Sequence, residues 1–163
     1  MKFDNSYAVI RVQMQKRLLA VVVVTLIAIY FTTSIWWYVE SWIGVPKIVG
    51  ILFFVSIFFI FYIYHIVAAS SFILYNDEEG KIILRFYQIN MFKSSKNSVE
   101  IPKSEFEGYS LKSGLMGIRK SITLYRKYQG KTVKYPPASI SLLTEAELNK
   151  LQKSLREYGP LLT

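Results

Sequence analysis

Two long stretches of the chain consist almost entirely of apolar residues. Residues 18–39 and 48–69 contain no charged side chain, and each run is 22 residues long. A helix of that length spans about 33 Å, close to the roughly 30 Å hydrocarbon core of a bilayer. The pattern predicts two transmembrane helices, and the short link with Gly44 and Pro46 indicates a tight antiparallel hairpin.

Two other interpretations of these runs fit the sequence less well. A chain of 163 residues has too small an interior to enclose two such helices in a soluble core. A cleaved signal peptide would have a shorter apolar core and a small-residue cleavage site, whereas the first run ends in aromatic residues. We therefore expect Trp36, Trp37 and Trp42 to act as anchors in the head-group layer.

After Ser70 the hydrophobic positions recur at every second residue. Ile82, Leu84 and Phe86, for example, alternate with a mostly polar set. Such alternation predicts half-buried antiparallel strands, separated by turns rich in Gly, Asn, Asp and Pro. About seven strands are predicted, at 70–76, 81–90, 97–102, 105–112, 118–127, 131–136 and 138–142.

One amphipathic helix, at 145–158, follows the strands. Thr144 and Glu147 have the spacing of a capping box, and the apolar positions at 148, 151, 155 and 158 share one face. Gly159 and Pro160 end the helix. We expect this helix to bury its leucines against the sheet and to close one end of a β barrel or sandwich.

The charge distribution predicts the orientation. The formal net charge is +9, and residues 1–17 are basic. The only charged residues in 18–69 are Glu40 and Lys47, whereas 70–163 contain fifteen basic and nine acidic residues. The positive-inside tendency then places both termini in the cytoplasm. The expected fold is an α+β membrane protein with three parts: a basic N-terminal segment (1–17), a two-helix transmembrane hairpin (18–69) and a cytosolic antiparallel β domain (70–163).

This order of elements resembles the bacterial pleckstrin-homology-like (PH-like) membrane proteins with two helices. The stretch from Val99 to Pro102 and the closing pattern from Ile140 to Leu148 are similar to segments of those domains. The resemblance implies a membrane-tethered interaction domain in the bacterial inner membrane, without shared catalytic residues.

A loop between two predicted strands combines apolar and basic residues. Leu115 and Met116 lie between two glycines, and Lys112, Arg119 and Lys120 flank them. One interpretation is a loop that inserts into the inner leaflet while its cations contact lipid phosphates. The alternative is an ordinary hairpin whose Leu and Met pack on their own sheet.

Arg126 and Lys127 extend this basic series along the same predicted hairpin. They indicate either attraction to anionic lipid or a solvated outer face. Nucleic acid is not an expected partner, because no RNA-binding motif accompanies the charge. The expected partners are the phospholipid bilayer, an unidentified membrane or cytosolic protein, and a second copy of the chain in a homo-oligomer.

Catalysis is not expected. The chain has no cysteine, a single histidine and no glycine-rich phosphate loop, so no metal or cofactor is expected either. Two hypotheses of function remain open. The first is a membrane-anchored, non-enzymatic interaction module; the second is an accessory or assembly subunit of a larger membrane complex that acts through its transmembrane helices.

Overall fold

The computed structural model describes residues 1–89, 96–114 and 117–162. They divide into two compact units, one of Met1–Ile10 with Ile66–Thr163 and one of Arg11–His65. The helices are α1 (Ser6–Thr32), α2 (Ile35–Ile43), α3 (Lys47–Val67) and α4 (Glu145–Arg156). The strands are β1 (Lys2–Asp4), β2 (Ser71–Asn76), β3 (Lys81–Gln88), β4 (Asn97–Pro102), β5 (Phe106–Gly114), β6 (Arg119–Tyr128), β7 (Lys131–Lys134) and β8 (Ala138–Ser139).

The helical unit is an antiparallel pair formed by α1 and α3. Lys16 lies over the ring of Tyr62, with its Nζ 5.2 Å from the ring centroid. Further along the pair, Tyr30 packs edge-on against Phe54 at 6.0 Å between centroids. Gly50 permits this approach, because a Cβ there would lie 2.5 Å from the Tyr30 hydroxyl. The two long apolar helices expected from the sequence are therefore present.

Their limits differ from those of the predicted spans. The first span was expected at 18–39, but α1 already begins at Ser6 and ends at Thr32, and α2 is a separate short helix. The Asp4 carboxylate accepts a hydrogen bond from the Ser6 N–H at 2.9 Å, which satisfies a free donor in the first turn. The Ser6 hydroxyl also donates to this carboxylate, and the hydrogen bonds from the hydroxyl and from the N–H together lower the pKa of Asp4. The charges at 11, 16 and 17 concealed the start of α1, since apolar content alone set the predicted boundary.

The β domain consists of two antiparallel sheets. The first has the order β1-β2-β3-β4; in the second, β6 pairs with β5, β7 and β8. All seven predicted strands are present; β4 has the predicted bounds and the other six have shifted ends. In addition, β1 is an eighth strand that lies within the predicted basic segment 1–17. Over the described ranges the sheets form no closed barrel. The sequence predicted either a barrel or a sandwich, and the closed barrel is therefore not formed.

One hydrophobic core joins both sheets and α4. Its fully buried members come from each layer and include Ile73, Ile101, Leu124 and Leu151. The capping box is formed as predicted: the Glu147 N–H donates to the Thr144 hydroxyl, and the Thr144 N–H donates to the Glu147 carboxylate. The helix was predicted at 145–158 and ends two residues earlier, at Arg156.

A buried asparagine connects the start of α1 to the first sheet. Asn5 is 1% exposed; its amide nitrogen donates to the Ser71 carbonyl at 3.0 Å, and its side-chain oxygen accepts from the Ile73 N–H at 2.8 Å. Both bonds satisfy backbone groups that have little access to water. The Asn5 side chain therefore replaces a missing strand partner at the edge of β2.

Replacing Asn5 with alanine is expected to destabilise the β domain. Each buried backbone group left without a partner costs about 1–3 kcal/mol, and the substitution leaves two such groups. We expect the total loss of unfolding free energy to be near the lower end of this range for two groups, because water can enter the space. Urea-dependent pulse proteolysis of the full chain in mild detergent measures this loss. Asn149→Ala, at an exposed position of α4, is the control and should leave the midpoint unchanged; equal midpoints for the two variants would contradict the role of Asn5.

Candidate functional site

One end of the β domain joins the apolar helices through two chain segments. The chain leaves α3 at Val67 and enters β2 at Ser71, and it enters α1 immediately after Asn5. Asn5 is hydrogen-bonded to Ser71, so both segments meet at the same end of the first sheet. We call this the junction end.

The β5–β6 hairpin reaches the junction end from the second sheet. The Ser139 hydroxyl lies 3.5 Å from the Ala68 carbonyl oxygen and 3.4 Å from the Lys120 carbonyl oxygen. The Ile140 N–H donates to the same Lys120 carbonyl at 2.9 Å. These contacts hold the backbone of Lys120 close to the point where the chain leaves α3.

Three of the basic residues singled out in the sequence lie at this end of the hairpin. Lys112, Arg119 and Lys120 are all exposed, and the strand register pairs Lys112 with Ser121 and Arg119 with Gly114. Leu115 and Met116, the proposed apolar tip, lie outside the described residues. The structure thus brings together the cations of the predicted loop.

Arg126 and Lys127 lie at the opposite end of the same hairpin. Arg126 lies six residue steps along β6 from Lys120, which corresponds to about 20 Å along the strand. Arg126 donates to the Tyr135 hydroxyl at 3.5 Å and to the Glu105 carboxylate at 2.6 Å, and these two bonds raise its pKa. Its charge is therefore used within the domain, and the basic series does not form one continuous surface.

A pair of aromatic side chains at the junction end was missed in the sequence. Phe72 and Tyr87 face each other across β2 and β3, stacked at 4.9 Å between ring centroids. With Arg85 and Lys96 they line a shallow cavity of about 230 Å³ on the first sheet. The sequence did contain a signal for this pair: Phe72 and Tyr87 are aromatic, although they occupy strand positions that point away from the core. Together with Lys112, Arg119 and Lys120, the residues Phe72, Tyr87 and Lys96 are called the junction surface below.

The predicted tryptophan anchors belong to α2 rather than to the end of the first long helix. The Lys47 ammonium lies 4.8 Å from the centroid of the Trp36 ring and 3.9 Å from that of Phe31. Trp37 and Trp42 are largely exposed, Trp42 to 88%. Trp36 therefore packs against the start of α3, and anchoring by Trp37 and Trp42 stays a prediction.

Comparison with known proteins gives no relative from which a role could be transferred. No protein-family model matches the chain, and no curated protein or solved structure matches it. The similarity to PH-like membrane proteins stays a prediction.

Proposed function

We propose that this chain is a membrane-anchored, non-enzymatic interaction module whose junction surface binds anionic lipid head groups. In this proposal α1 and α3 cross the bacterial inner membrane with both termini in the cytoplasm. The β domain is then held at the inner leaflet, where it can meet protein partners.

The exposure of the two long helices supports insertion into a membrane. Both are long and apolar enough to span a bilayer, and only 11% and 6% of the residues in their most apolar windows are buried. A core helix of a soluble protein would be mostly buried. Soluble monomers rarely expose apolar patches larger than roughly 600 Å², so a lipid environment accounts for these surfaces better than water does.

The observation that carries the lipid proposal is the position of the hairpin cations. Lys112, Arg119 and Lys120 lie at the junction end, where the chain enters the proposed membrane helices. Each cation near an anionic leaflet contributes about 1 kcal/mol of attraction. Phe72 and Tyr87 add amphipathic rings of the kind that prefer the head-group layer.

The architecture also supports the proposal of a PH-like domain. Two four-stranded antiparallel sheets and one C-terminal helix with a shared core agree with the element order on which that resemblance rests. A domain tethered in this way leaves the surfaces away from the junction end available for protein partners.

The absence of cysteine from the chain permits a direct test with single-cysteine labels. The full chain is reconstituted in nanodiscs, with a polarity-sensitive fluorophore attached to Ser113→Cys in one sample and to Gln129→Cys in another. Ser113 lies at the junction end, whereas Gln129 follows β6 at the other end of the hairpin. We expect the label at 113, and not that at 129, to be quenched by a lipid-phase quencher when anionic lipid is present.

Neutral nanodiscs and a charge variant complete the test. Lys112→Ala/Arg119→Ala/Lys120→Ala should reduce quenching at 113 to the level seen in neutral lipid. If the label at 113 reports water in anionic membranes, or if the triple variant leaves its quenching unchanged, the junction surface does not bind lipid.

A further inference from the structure

Four lysine side chains surround an open cleft at the end of the β domain opposite the junction end. The cleft has a volume of about 620 Å³ and lies between β1, the 3-10 turn at Lys103–Glu105 and the last turns of α4. Its lysines are Lys2, Lys103, Lys150 and Lys153. Within the part of the chain that the structure describes, none of the four forms an ion pair.

The acidic residues at the cleft neutralise only part of this charge. Asp77 and Glu157 are the two acidic residues of the lining. Asp77 accepts hydrogen bonds from the Ser154 hydroxyl and from the amino nitrogen of Met1. Burial alone would raise the pKa of Asp77, but these hydrogen bonds outweigh it and lower the pKa below its usual value. The carboxylate is thus ionised and already occupied, which leaves the lysines available to another anion.

A tyrosine hydroxyl adds a directed donor. Lys103 donates to the Tyr158 hydroxyl at 3.0 Å while its Nζ lies 4.4 Å from the ring centroid. The hydrogen bond to Tyr158 raises the pKa of Lys103, so that lysine stays charged. Because the hydroxyl oxygen accepts from Lys103, its own proton is free to be donated to a ligand.

We propose that this cleft is a binding site for a small molecule that carries several phosphate groups. Lysine ammonium groups bind phosphate as point charges, and several of them around one opening favour a ligand with several negative charges. The cleft volume falls within the about 300–1,000 Å³ that is usual for small-molecule sites. No function described above uses these residues.

The position of the cleft favours a soluble ligand over a lipid head group. β2 runs from Ser71 at the junction end to Asn76, which pairs with Lys2 beside the cleft. Five residue steps of a strand correspond to about 17 Å. Phosphate chemistry is common to both ligand sources, and the test below separates them.

Calorimetric titration of the full chain in nanodiscs of neutral lipid, with inorganic tripolyphosphate as the probe, tests the site. We expect saturable binding that weakens about tenfold in Lys150→Ala/Lys153→Ala. The matched control is Lys131→Ala/Lys134→Ala, which removes two exposed lysines with the same spacing from β7. It changes the net charge equally and should alter the affinity less than twofold.

A finer variant tests the proposed donor. Tyr158→Phe keeps the aromatic ring over which Lys103 lies and removes only the hydroxyl, so we expect about threefold weaker binding and an unchanged melting temperature. A loss of melting temperature equal to that of a core variant would assign Tyr158 to folding alone and would overturn its role as a donor.

Further titrations distinguish a soluble phosphate compound from a lipid head group and from an acidic polypeptide. Binding that persists in nanodiscs containing phosphatidic acid assigns the cleft to a soluble phosphate compound, and competition by that lipid assigns it to a head group. The proposal is overturned if binding does not saturate, if both double variants weaken it equally, or if polyglutamate binds and tripolyphosphate does not. None of these outcomes affects the fluorescence test of the junction surface, so the two proposals fail independently.

Discussion

Replacing Ile57 with aspartate is expected to prevent α3 from crossing the membrane in most copies of the chain, while α1 still anchors the chain. Ile57 is the central residue of α3 and is 41% exposed. An aspartate at the centre of a spanning helix costs about 3 kcal/mol for insertion, roughly a hundredfold in the equilibrium between inserted and non-inserted chain. The measurement is the labelling of Gln129→Cys by a membrane-impermeant maleimide added to spheroplasts, because the β domain lies outside when α1 crosses the membrane and α3 does not.

A second apolar-to-aspartate substitution separates this effect from a general loss of folding. Val133 lies on β7 and is 39% exposed, so it matches Ile57 in exposure but belongs to the β domain. If α3 lay in water, both variants would change stability by only about 0.5 kcal/mol, as surface substitutions usually do. Equally low labelling of residue 129 in Ile57→Asp and Val133→Asp would therefore refute the membrane proposal.

The elements predicted best are those set by local chemistry. The capping box at Thr144 and Glu147 fixed the start of α4 because both hydrogen bonds connect residues only three apart in the chain. The alternation within Lys81–Gln88 identified β3, since one face of that strand is fully buried. In both cases a few neighbouring residues contain the whole signal.

The elements that were missed depend on contacts between distant residues. β1 has only three residues, and its identity as a strand follows from pairing with residues of β2 that lie at least seventy positions away in the chain. The separation of α1 from α2 falls at Thr32, Thr33 and Ser34, three polar residues within a long run that has no charged side chain. An apolar run predicts that a helix is present, but it does not predict where the backbone bends.

The two candidate binding surfaces also differ in whether they depend on neighbouring or on distant residues. The cations at 112, 119 and 120 are close in the sequence and in the structure, because a hairpin brings its own ends together. The lysine cleft combines Lys2, Lys103 and Lys150, which only the folded core brings together. No spacing rule within the sequence could have indicated that site.

Replacing Leu151 with alanine should produce the largest loss of stability in the β domain. Leu151 is fully buried in the core that joins α4 to both sheets. Leucine-to-alanine substitutions at such positions cost about 2–5 kcal/mol, because a cavity is added to the lost transfer free energy. Neighbouring strands limit how far the structure can collapse, so we expect about 4 kcal/mol here.

Pulse proteolysis in urea is the appropriate measurement for this variant. All three tryptophans lie in α2, so tryptophan fluorescence reports on the helical unit and not on the β domain. Leu161→Ala makes the same chemical change at a residue that is 45% exposed, and we expect it to cost less than about 1 kcal/mol. If the two variants shift the urea midpoint equally, α4 does not pack on the sheets through its leucine face. The lysine cleft, which α4 forms on one side, would then lose its structural basis as well.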